Sequence, residues 1–359
     1  MGRKKISILH PYLESRRSEI EAGLYPKNHL WGIDALEKSE KFELNHIRTN
    51  DVRLPSFLEK LLDSSIFRNS PGSRAELSTY FASKSSDFIY SVCGPLGTTK
   101  LFPHKVISWT FRVPAPLSKN SIQLSYRKNT LKKTAGFLCL TPKAENYFSQ
   151  FTTSIFIPWC VDMDLFDGKT DTDQEYSKPF FLATGKTERD YDTLIKSAHN
   201  VAAEIRIIAP NSQKPFKLPD NINWVNSSTD PPDQAIDYPT LRKWYSQCLA
   251  VCIPLTGNPE DTSGYTNMLE AMAMRKAVLM TNSGCLHLNP ENGGFGELIQ
   301  PQDYNGWSVS MNKILNNSVQ SKVFGQKGRE LAERCFSLNV FNDNFLCAFN
   351  KIITSQNTK

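Results

Sequence analysis

The chain has 359 residues, 40% of them hydrophobic and 22% charged, with a formal net charge of +6 at pH 7, as is typical of a globular protein in water. The length predicts two domains, and no apolar run approaches the roughly 20 residues that a membrane-spanning helix needs. Because the eight cysteines contain no Cys-x-x-Cys pair, we expect free thiols, a cytoplasmic location, and neither secretion nor disulfides.

The first half of the chain has the pattern of an open α/β domain. Residues 4–10 alternate as a strand does, a polar loop follows through Gly23 and Pro26, and the helical spacing of residues 28–39 predicts a helix before a second strand at 42–48. This order is the unit of a parallel sheet. Further predicted strands are residues 87–93, 105–111, 137–141 and 154–157.

A second α/β series follows a polar stretch, residues 167–178, that has the composition of a linker. Its predicted strands are residues 180–184, 205–209, 222–225, 248–254 and 277–280. Its predicted helices are residues 191–203, 238–247, 266–274, 318–335 and 340–354.

Residues 262–281 are the most informative stretch, because they predict a glycine-containing loop, a short helix and a strand in direct succession. Glu270 stands on the helix among small and apolar neighbours, and a carboxylate in such surroundings needs a partner. Gly264 permits a tight turn, while Thr266 and Asn267 lie where free backbone N–H groups attract an anion. A nucleotide fits this pattern, with its phosphate at the helix start and its sugar on Glu270. A glutamate paired with a lysine or arginine in a buried helix fits it equally well.

A second candidate site opens the second domain. Gly185 ends a predicted strand, and two cations, Lys186 and Arg189, follow before the next helix. Ligands of open α/β sheets bind beyond the carboxyl ends of the strands, where these cations can neutralise a diphosphate. By itself the segment is also compatible with a solvated turn in which Arg189 pairs with Asp190 or Asp192.

Taken together, these two stretches resemble the nucleotide-sugar-dependent glycosyltransferases with two Rossmann-like domains, the GT-B fold, and especially their retaining family-4 group. Gly185, Lys186 and Arg189 match the start of that group's second domain. Gly264, Tyr265, Leu269 to Ala273 and Ala277 to Leu279 match its later Glu-containing motif. Residues 156–166 resemble its interdomain segment, and residues 292–301 resemble a loop rich in Asn and Gly.

The resemblance implies two facing α/β domains with a central cleft. Residues 1–165 would form the acceptor-side domain, with residues 340–359 packing back on it, and residues 166–339 would bind the donor. Lys186 and Arg189 would hold the diphosphate and stabilise the leaving group. The other implied donor-binding residues are Gly185, Thr262, Ser263, Gly264, Tyr265, Thr266, Asn267 and Glu270, with Glu270 on the ribose hydroxyls.

The implied reaction transfers a sugar from a UDP- or GDP-sugar to a saccharide, a lipid-linked or a small-molecule acceptor, with retention and without a metal or other cofactor. On the acceptor side we single out His29, which would hold an anionic acceptor or cap a helix, and Arg112. No nucleic-acid-binding motif is found. The basic cluster at residues 127–133 is typical of a solvated face, and a weak contact with an anionic membrane surface stays open.

Three segments depart from the family pattern. Thr262 replaces the family's first acidic residue, and Glu260 and Asp261, just upstream, could substitute for it only after a shift of the loop. Phe111 and Arg112 stand where a histidine is expected, and the Gly-Lys-Pro of the family's nucleotide loop is Arg275-Lys276-Ala277 here. A protein that keeps the fold and binds a nucleotide or glycan without transfer is therefore the alternative.

Two Asp-x-Asp triplets, residues 162–164 and 171–173, spell a metal-binding motif of another glycosyltransferase fold. They lie in the interdomain segment and the linker, so we do not expect them to bind a metal.

Overall fold

The computed structural model describes residues 2–65, 67, 70–114, 121–169, 178–227 and 236–357. Its strands are β1 Lys4–Leu9, β2 Phe42–His46, β3 Phe88–Ser91, β4 Val106–Thr110, β5 Gly136–Cys139, β6 Ser154–Phe156, β7 Phe180–Thr184, β8 Glu204–Ala209, β9 Ile222–Asn226, β10 Ala250–Ile253, β11 Ala277–Thr281 and β12 Gly296–Ile299. Its α-helices are α1 Leu13–Glu21, α2 Ile33–Lys38, α3 Ser56–Ser64, α4 Ser73–Ala82, α5 Ser121–Lys132, α6 Pro142–Ser149, α7 Tyr191–Ser197, α8 Tyr238–Gln247, α9 Tyr265–Ala273, α10 Pro290–Gly293, α11 Tyr304–Asn316, α12 Ser318–Cys335 and α13 Leu338–Asn357.

The chain divides into two compact units. The first contains Met1–Arg16, His29–Pro158 and Phe341–Lys359, and the second contains Arg17–Asn28 and Trp159–Val340. Most of the polar stretch expected to be a linker, residues 170–177, lies outside the described residues. No helix in the described ranges has both the length and the apolar character that a membrane crossing requires.

The first unit is built on a six-stranded sheet in the order β2-β1-β3-β4-β5-β6, and every pairing is parallel. All residues of β3, β4 and β5 are buried, as expected of parallel strands covered on both faces. Helix α13 packs closely on this sheet: a Cβ added to Gly136 of β5 would lie 2.5 Å from the Cγ2 of Ile352.

The second unit is built on a parallel six-stranded sheet in the order β12-β11-β10-β7-β8-β9. The five residues of β7 and the five of β11 are all buried. Helices α7 and α11 cover one face, with Leu194, Trp307 and Met311 in a core cluster against the sheet. The α/β class predicted from the sequence is confirmed.

In each sheet the order in which the chain adds strands reverses once. In the second unit the chain runs from β7 through β8 to β9, then returns to place β10 on the other side of β7. Ligands of open α/β sheets bind beyond the carboxyl ends of the two strands at such a switch point. The ends of β7 and β10 are followed by residue 185 and by the loop that leads to α9, the two stretches singled out from the sequence. The equivalent point of the first unit lies between β1 and β3.

The structure corrects several local predictions. Helix α1 occupies part of the segment that we expected to be a polar loop. It was not predicted because its sequence has too few apolar residues to show a helical period. The helix expected at 28–39 is interrupted: a 3-10 turn at Lys27–Leu30 is followed by Trp31 and Gly32, both with positive φ, before α2 begins. Strand β12 and helix α11 were not predicted.

Candidate functional site

The loop after β7 is held by backbone contacts with the segment after β10. Asp190 N–H donates to the Pro254 carbonyl over 3.1 Å, and Thr256 N–H donates to the Glu188 carbonyl over 3.2 Å. Glu188 has a φ of 52°, in the left-handed region that non-glycine residues rarely adopt. Asp190 then caps α7 by accepting from the Thr193 N–H over 3.0 Å. These contacts fix the position of Arg189, which lies between the two pinned residues.

Arg189 is anchored by three hydrogen bonds. Its Nε donates to the Thr184 carbonyl over 3.2 Å, its Nη1 to the Thr187 carbonyl over 2.8 Å, and its Nη2 to Oδ1 of Asn267 over 2.7 Å. Burial lowers the pKa of the Arg189 guanidinium, while the charge of Asp261 opposes this decrease. The sequence also allowed a solvated turn in which Arg189 pairs with Asp190 or Asp192. In the structure Arg189 instead contacts Asn267 on α9.

Lys186 lies on the same loop in a different setting. Its side chain is exposed and has no ion-pair or hydrogen-bond partner within the described part of the chain. Its backbone is held, because the Lys186 carbonyl accepts from Nε2 of Gln213 over 2.8 Å. The loop therefore combines a fixed, partly buried guanidinium with an ammonium group that is available to an anion.

Helix α9 begins at Tyr265, one residue earlier than predicted, and no side chain caps it. Gly264 precedes it with a φ of 85°, and a Cβ there would lie 2.6 Å from Cγ2 of Ile253. Tyr265 is buried, whereas Thr266 and Asn267 are half-buried. Because the first N–H groups of a helix lack partners within it, this helix start is suited to an anion.

Glu270 is 3% exposed, so the carboxylate singled out from the sequence is buried. Its Oε2 accepts from the Tyr245 hydroxyl over 2.8 Å. Burial raises the Glu270 pKa to about 7, although hydrogen bonds from Tyr245 and Asn267 partly counter this effect. Within the described ranges Glu270 makes no ion pair with a lysine or arginine, which the sequence also allowed; its immediate partner is a tyrosine on α8.

The loop before α9 contains the acidic residues next to Thr262. Asp261 is buried, and its Oδ2 accepts from the Ser263 N–H over 3.0 Å. Thr262 itself is half-buried, and Glu260 is exposed. Thus the carboxylate of this loop that acts on the charge of Arg189 is that of Asp261, one position before Thr262.

In the first unit, His29 belongs to a cluster at the carboxyl end of β1. Its Nδ1 lies 2.8 Å from the Tyr12 hydroxyl, and its carbonyl accepts from Nε2 of His10 over 2.9 Å. Burial lowers the pKa of both histidines to about 4. Arg112 is exposed after β4, and the preceding Phe111 ring packs on Trp31 at a centroid distance of 5.2 Å.

The Asp162–Asp164 triplet has a structural role. Asp162 is buried, and it accepts from the backbone N–H groups of Lys27, Asp164 and Leu165. No group of three or more potential metal ligands was found among the described residues. The second triplet, at residues 171–173, lies outside the described ranges.

A cavity of about 390 Å³ lies elsewhere in the second unit, beside α10 and α12. His287, Lys327 and Arg334 are among its lining residues, and none of the predicted donor-site residues lines it. The candidate site, formed by the loop after β7 and the start of α9, is separate from this cavity.

Sequence reasoning missed two parts of this site, the Tyr245 hydroxyl and the side-chain role of Asn267. Tyr245 lies near the end of α8 in a sequence with no motif around it. The sequence contained one indication of Tyr245: Glu270 was expected to be buried, and a buried carboxylate needs a partner. It did not indicate which residue that partner is.

The chain is similar to known proteins in its structure. No protein-family model matches the sequence, and no curated protein sequence matches it. Similar solved structures include sucrose-phosphate synthase from Thermosynechococcus elongatus, with 14% identity and a TM-score of 0.67 over 98% of this chain and 100% of that one. A glycosyltransferase from Rickettsia africae has 14% identity and a TM-score of 0.68 over 98% of this chain and 99% of that one.

A third similar structure is that of HepE from Anabaena in complex with UDP-glucose, with 11% identity and a TM-score of 0.64 over 98% of this chain and 100% of that one. At such low identities the likeness concerns the fold. The chain therefore has the α/β fold of these GT-B glycosyltransferases, which confirms at the level of fold the resemblance noted in the sequence.

Proposed function

We propose that this protein is a glycosyltransferase that moves a sugar from a nucleoside-diphosphate donor to an acceptor hydroxyl. The observation that supports it most is the position of two cations and a helix start at one switch point. Lys186 and Arg189 follow β7, and α9 begins after β10, the neighbouring strand. Arg189 also contacts Asn267 in the first turn of α9.

In this proposal Lys186, Arg189 and the N–H groups of Thr266 and Asn267 bind the donor diphosphate. Glu270 accepts hydrogen bonds from the ribose hydroxyls. Gly185, Thr262, Ser263, Gly264 and Tyr265 shape the two loops around the donor. The fold likeness to HepE, which was solved with UDP-glucose, makes a UDP-sugar the first donor to test and a GDP-sugar the second.

The reaction breaks the bond between the anomeric carbon and a diphosphate oxygen, and it forms a bond to the acceptor oxygen with retention. The acceptor proton passes to the departing diphosphate. Lys186, Arg189 and the α9 start stabilise the negative charge that develops on this leaving group, so the proposed reaction needs no metal. His29 and Arg112 are proposed on the acceptor side, for a saccharide, a lipid-linked or a small-molecule acceptor. A peripheral contact with an anionic membrane would suit a lipid-linked one.

A second candidate function is nucleotide or glycan binding without transfer. It is favoured by Thr262, which cannot supply the charge of the carboxylate expected there, and by Phe111, which replaces a histidine. Asp261 favours the enzyme instead, because its buried carboxylate lies next to the position of Thr262 in the same loop.

The test is incubation of the protein with UDP-, GDP- and ADP-sugars, with and without EDTA, while nucleoside diphosphate release and sugar transfer are measured. Release that is insensitive to EDTA supports the proposed enzyme. Nucleotide binding by calorimetry without any hydrolysis or transfer supports the binding protein. Absence of binding for every nucleotide would refute the proposed donor site.

A further inference from the structure

Four side chains from three segments of the second unit form a continuous hydrogen-bonded chain. Arg189 Nη2 donates to Asn267 Oδ1 over 2.7 Å. Asn267 Nδ2 lies 3.4 Å from the Tyr245 hydroxyl, and that hydroxyl lies 2.8 Å from Glu270 Oε2. We call these four residues the Arg189–Glu270 chain.

The two ends of the Arg189–Glu270 chain fix its direction. A guanidinium can only donate hydrogen bonds, and an ionised carboxylate can only accept them. Asn267 must therefore turn its carbonyl to Arg189 and its NH₂ group to Tyr245, and Tyr245 must donate to Glu270. Each of the three links then joins a donor to an acceptor. Asn267 also donates directly to Glu270.

The middle of the chain is held rigidly. Tyr245 is fully buried on α8, and its ring packs edge-on against Phe166 at a centroid distance of 5.9 Å. Burial and the neighbouring Glu270 raise the pKa of Tyr245 far above its usual value, so its hydroxyl keeps its proton. A fixed ring places this hydroxyl within reach of both Asn267 and Glu270.

Asn267 takes part in two interactions at once. It lies in the first turn of α9, where its backbone N–H is available to an anion. Its side chain meanwhile contacts Arg189 on one side and Tyr245 on the other. The Asn267 side chain is therefore the one link of the Arg189–Glu270 chain that contacts both Arg189 and Tyr245.

We propose that Asn267 and Tyr245 are positioning residues that couple the two ends of the donor site, so that the diphosphate at Arg189 and the ribose at Glu270 are bound cooperatively. This inference rests on the proposed donor site. It adds a role for Tyr245, which touches neither the phosphate nor the reacting atoms in the proposal and acts through Glu270.

The test is a double-mutant cycle in the full-length protein, with UDP-glucose affinity measured by calorimetry. Tyr245→Phe and Asn267→Ala should each lower the affinity about tenfold, and the double variant should also lose only about tenfold, because either change breaks the same chain. A hundredfold loss in the double variant, or wild-type affinity in both single variants, would refute the coupling. Absence of UDP-, GDP- and ADP-sugar binding to the wild type would refute the donor site itself, and the coupling with it.

A matched control separates positioning from a general packing defect. Tyr238→Phe removes a hydroxyl from the same helix, next to the same Phe166 ring, without breaking the chain. It should keep the wild-type affinity. Thermal unfolding of each variant shows whether it is folded, and Asn267→Ser replaces Asn267→Ala if the latter is unfolded at the assay temperature.

The pH profile of binding supplies a readout that packing alone would not change. Besides its own members, the chain has charged or titratable neighbours among the described residues: Asp261 and Tyr191 beside Arg189, Cys248 beside Tyr245, and Lys276 beside Cys248. Because the Tyr245 hydroxyl favours the ionised form of Glu270, Tyr245→Phe should move the midpoint of the affinity profile to higher pH. An unchanged midpoint would contradict the assignment of Tyr245 as a positioning residue for Glu270.

Discussion

The guanidinium of Arg189 lies directly against Gly185: a Cβ added to Gly185 would stand 2.4 Å from Nη2 of Arg189. Gly185 also has a φ of 127°, a conformation that other residues rarely adopt. The glycine after β7 therefore allows the backbone to turn and also leaves room for the side chain of Arg189. This explains why a glycine and an arginine at this spacing are needed together.

Gly185→Ala is expected to displace Arg189 and to lower nucleotide affinity at least tenfold. The backbone strain should also cost about 1–3 kcal/mol of unfolding free energy. Calorimetry with UDP-glucose and urea unfolding measure the two effects. Gly23→Ala is the control, because Gly23 has a φ of 72° but no atom near the added Cβ; it should lose stability and keep affinity. Equal affinities for the Gly185 variant and the wild type would contradict the role of this contact.

Lys186→Ala and Arg189→Ala should each weaken nucleotide binding by about 1.5–3 kcal/mol if both cations make charge-assisted hydrogen bonds to phosphate. Their stabilities should differ. Lys186 is exposed, so its removal should leave the melting temperature unchanged, whereas Arg189→Ala removes three hydrogen bonds and should lower it. Lys196→Ala, an exposed lysine on α7, is the control for loss of one positive charge. Unchanged affinity in both loop variants would refute the phosphate assignment.

Glu270→Gln should increase stability at pH 8 while it weakens donor binding. The folded-state pKa of Glu270 is about 7 against a reference of 4.5, so folding favours the protonated form. The resulting stabilisation is complete below the unfolded-state pKa and is lost as the pH rises through about 7, a change of about 3 kcal/mol. Glutamine does not ionise and avoids this loss. Urea unfolding at pH 5 and pH 8 tests it; a variant that is less stable than the wild type at both pH values would contradict the prediction.

The same buried carboxylate should make donor affinity depend on pH. A ribose hydroxyl donates best to an ionised carboxylate, so UDP-glucose affinity should rise as the pH passes through about 7. The diphosphate of the sugar nucleotide has no group that titrates in this range. In Glu270→Gln the affinity should be low and independent of pH. If the UDP-glucose affinity of Glu270→Gln still depends on pH as in the wild type, the dependence comes from a group other than Glu270.

The histidine cluster of the first unit should give the opposite slope of stability with pH. Burial lowers the pKa of His10 and His29 from 6.5 to about 4. Their stabilising contribution is present above the unfolded-state value and is lost as the pH falls from about 6.5 to about 4. The double variant His10→Gln, His29→Asn keeps polar groups near the bonded nitrogens and should unfold with a flatter acid dependence. Parallel acid profiles for the variant and the wild type would contradict this prediction.

The separate elements of the proposed donor site could be predicted from the local sequence. Gly185 with Lys186 and Arg189, and Gly264 with the helix after it, lie in short segments where a strand end, a glycine and a helix start follow directly. Strands β7 and β11 are continuous apolar runs, which is the pattern of parallel strands buried on both faces. Where the sequence is mostly polar, as in α1, the apolar pattern was too weak to predict the helix.

The parallel α/β class, the loop after β7 with its two cations, the glycine-containing loop before α9 and the burial of Glu270 were all predicted correctly, because each follows from residues that are neighbours along the chain. Which side chains contact each other could not be predicted in this way. Arg189 and Asn267 are 78 positions apart, and Tyr245 and Glu270 are 25 apart. The first contact arises because β7 and β10 pair in the sheet and bring the loop after β7 to the start of α9. The second joins α8, which precedes β10, to α9, which follows it. Both depend on how the strands and helices are arranged in space, which no local pattern encodes.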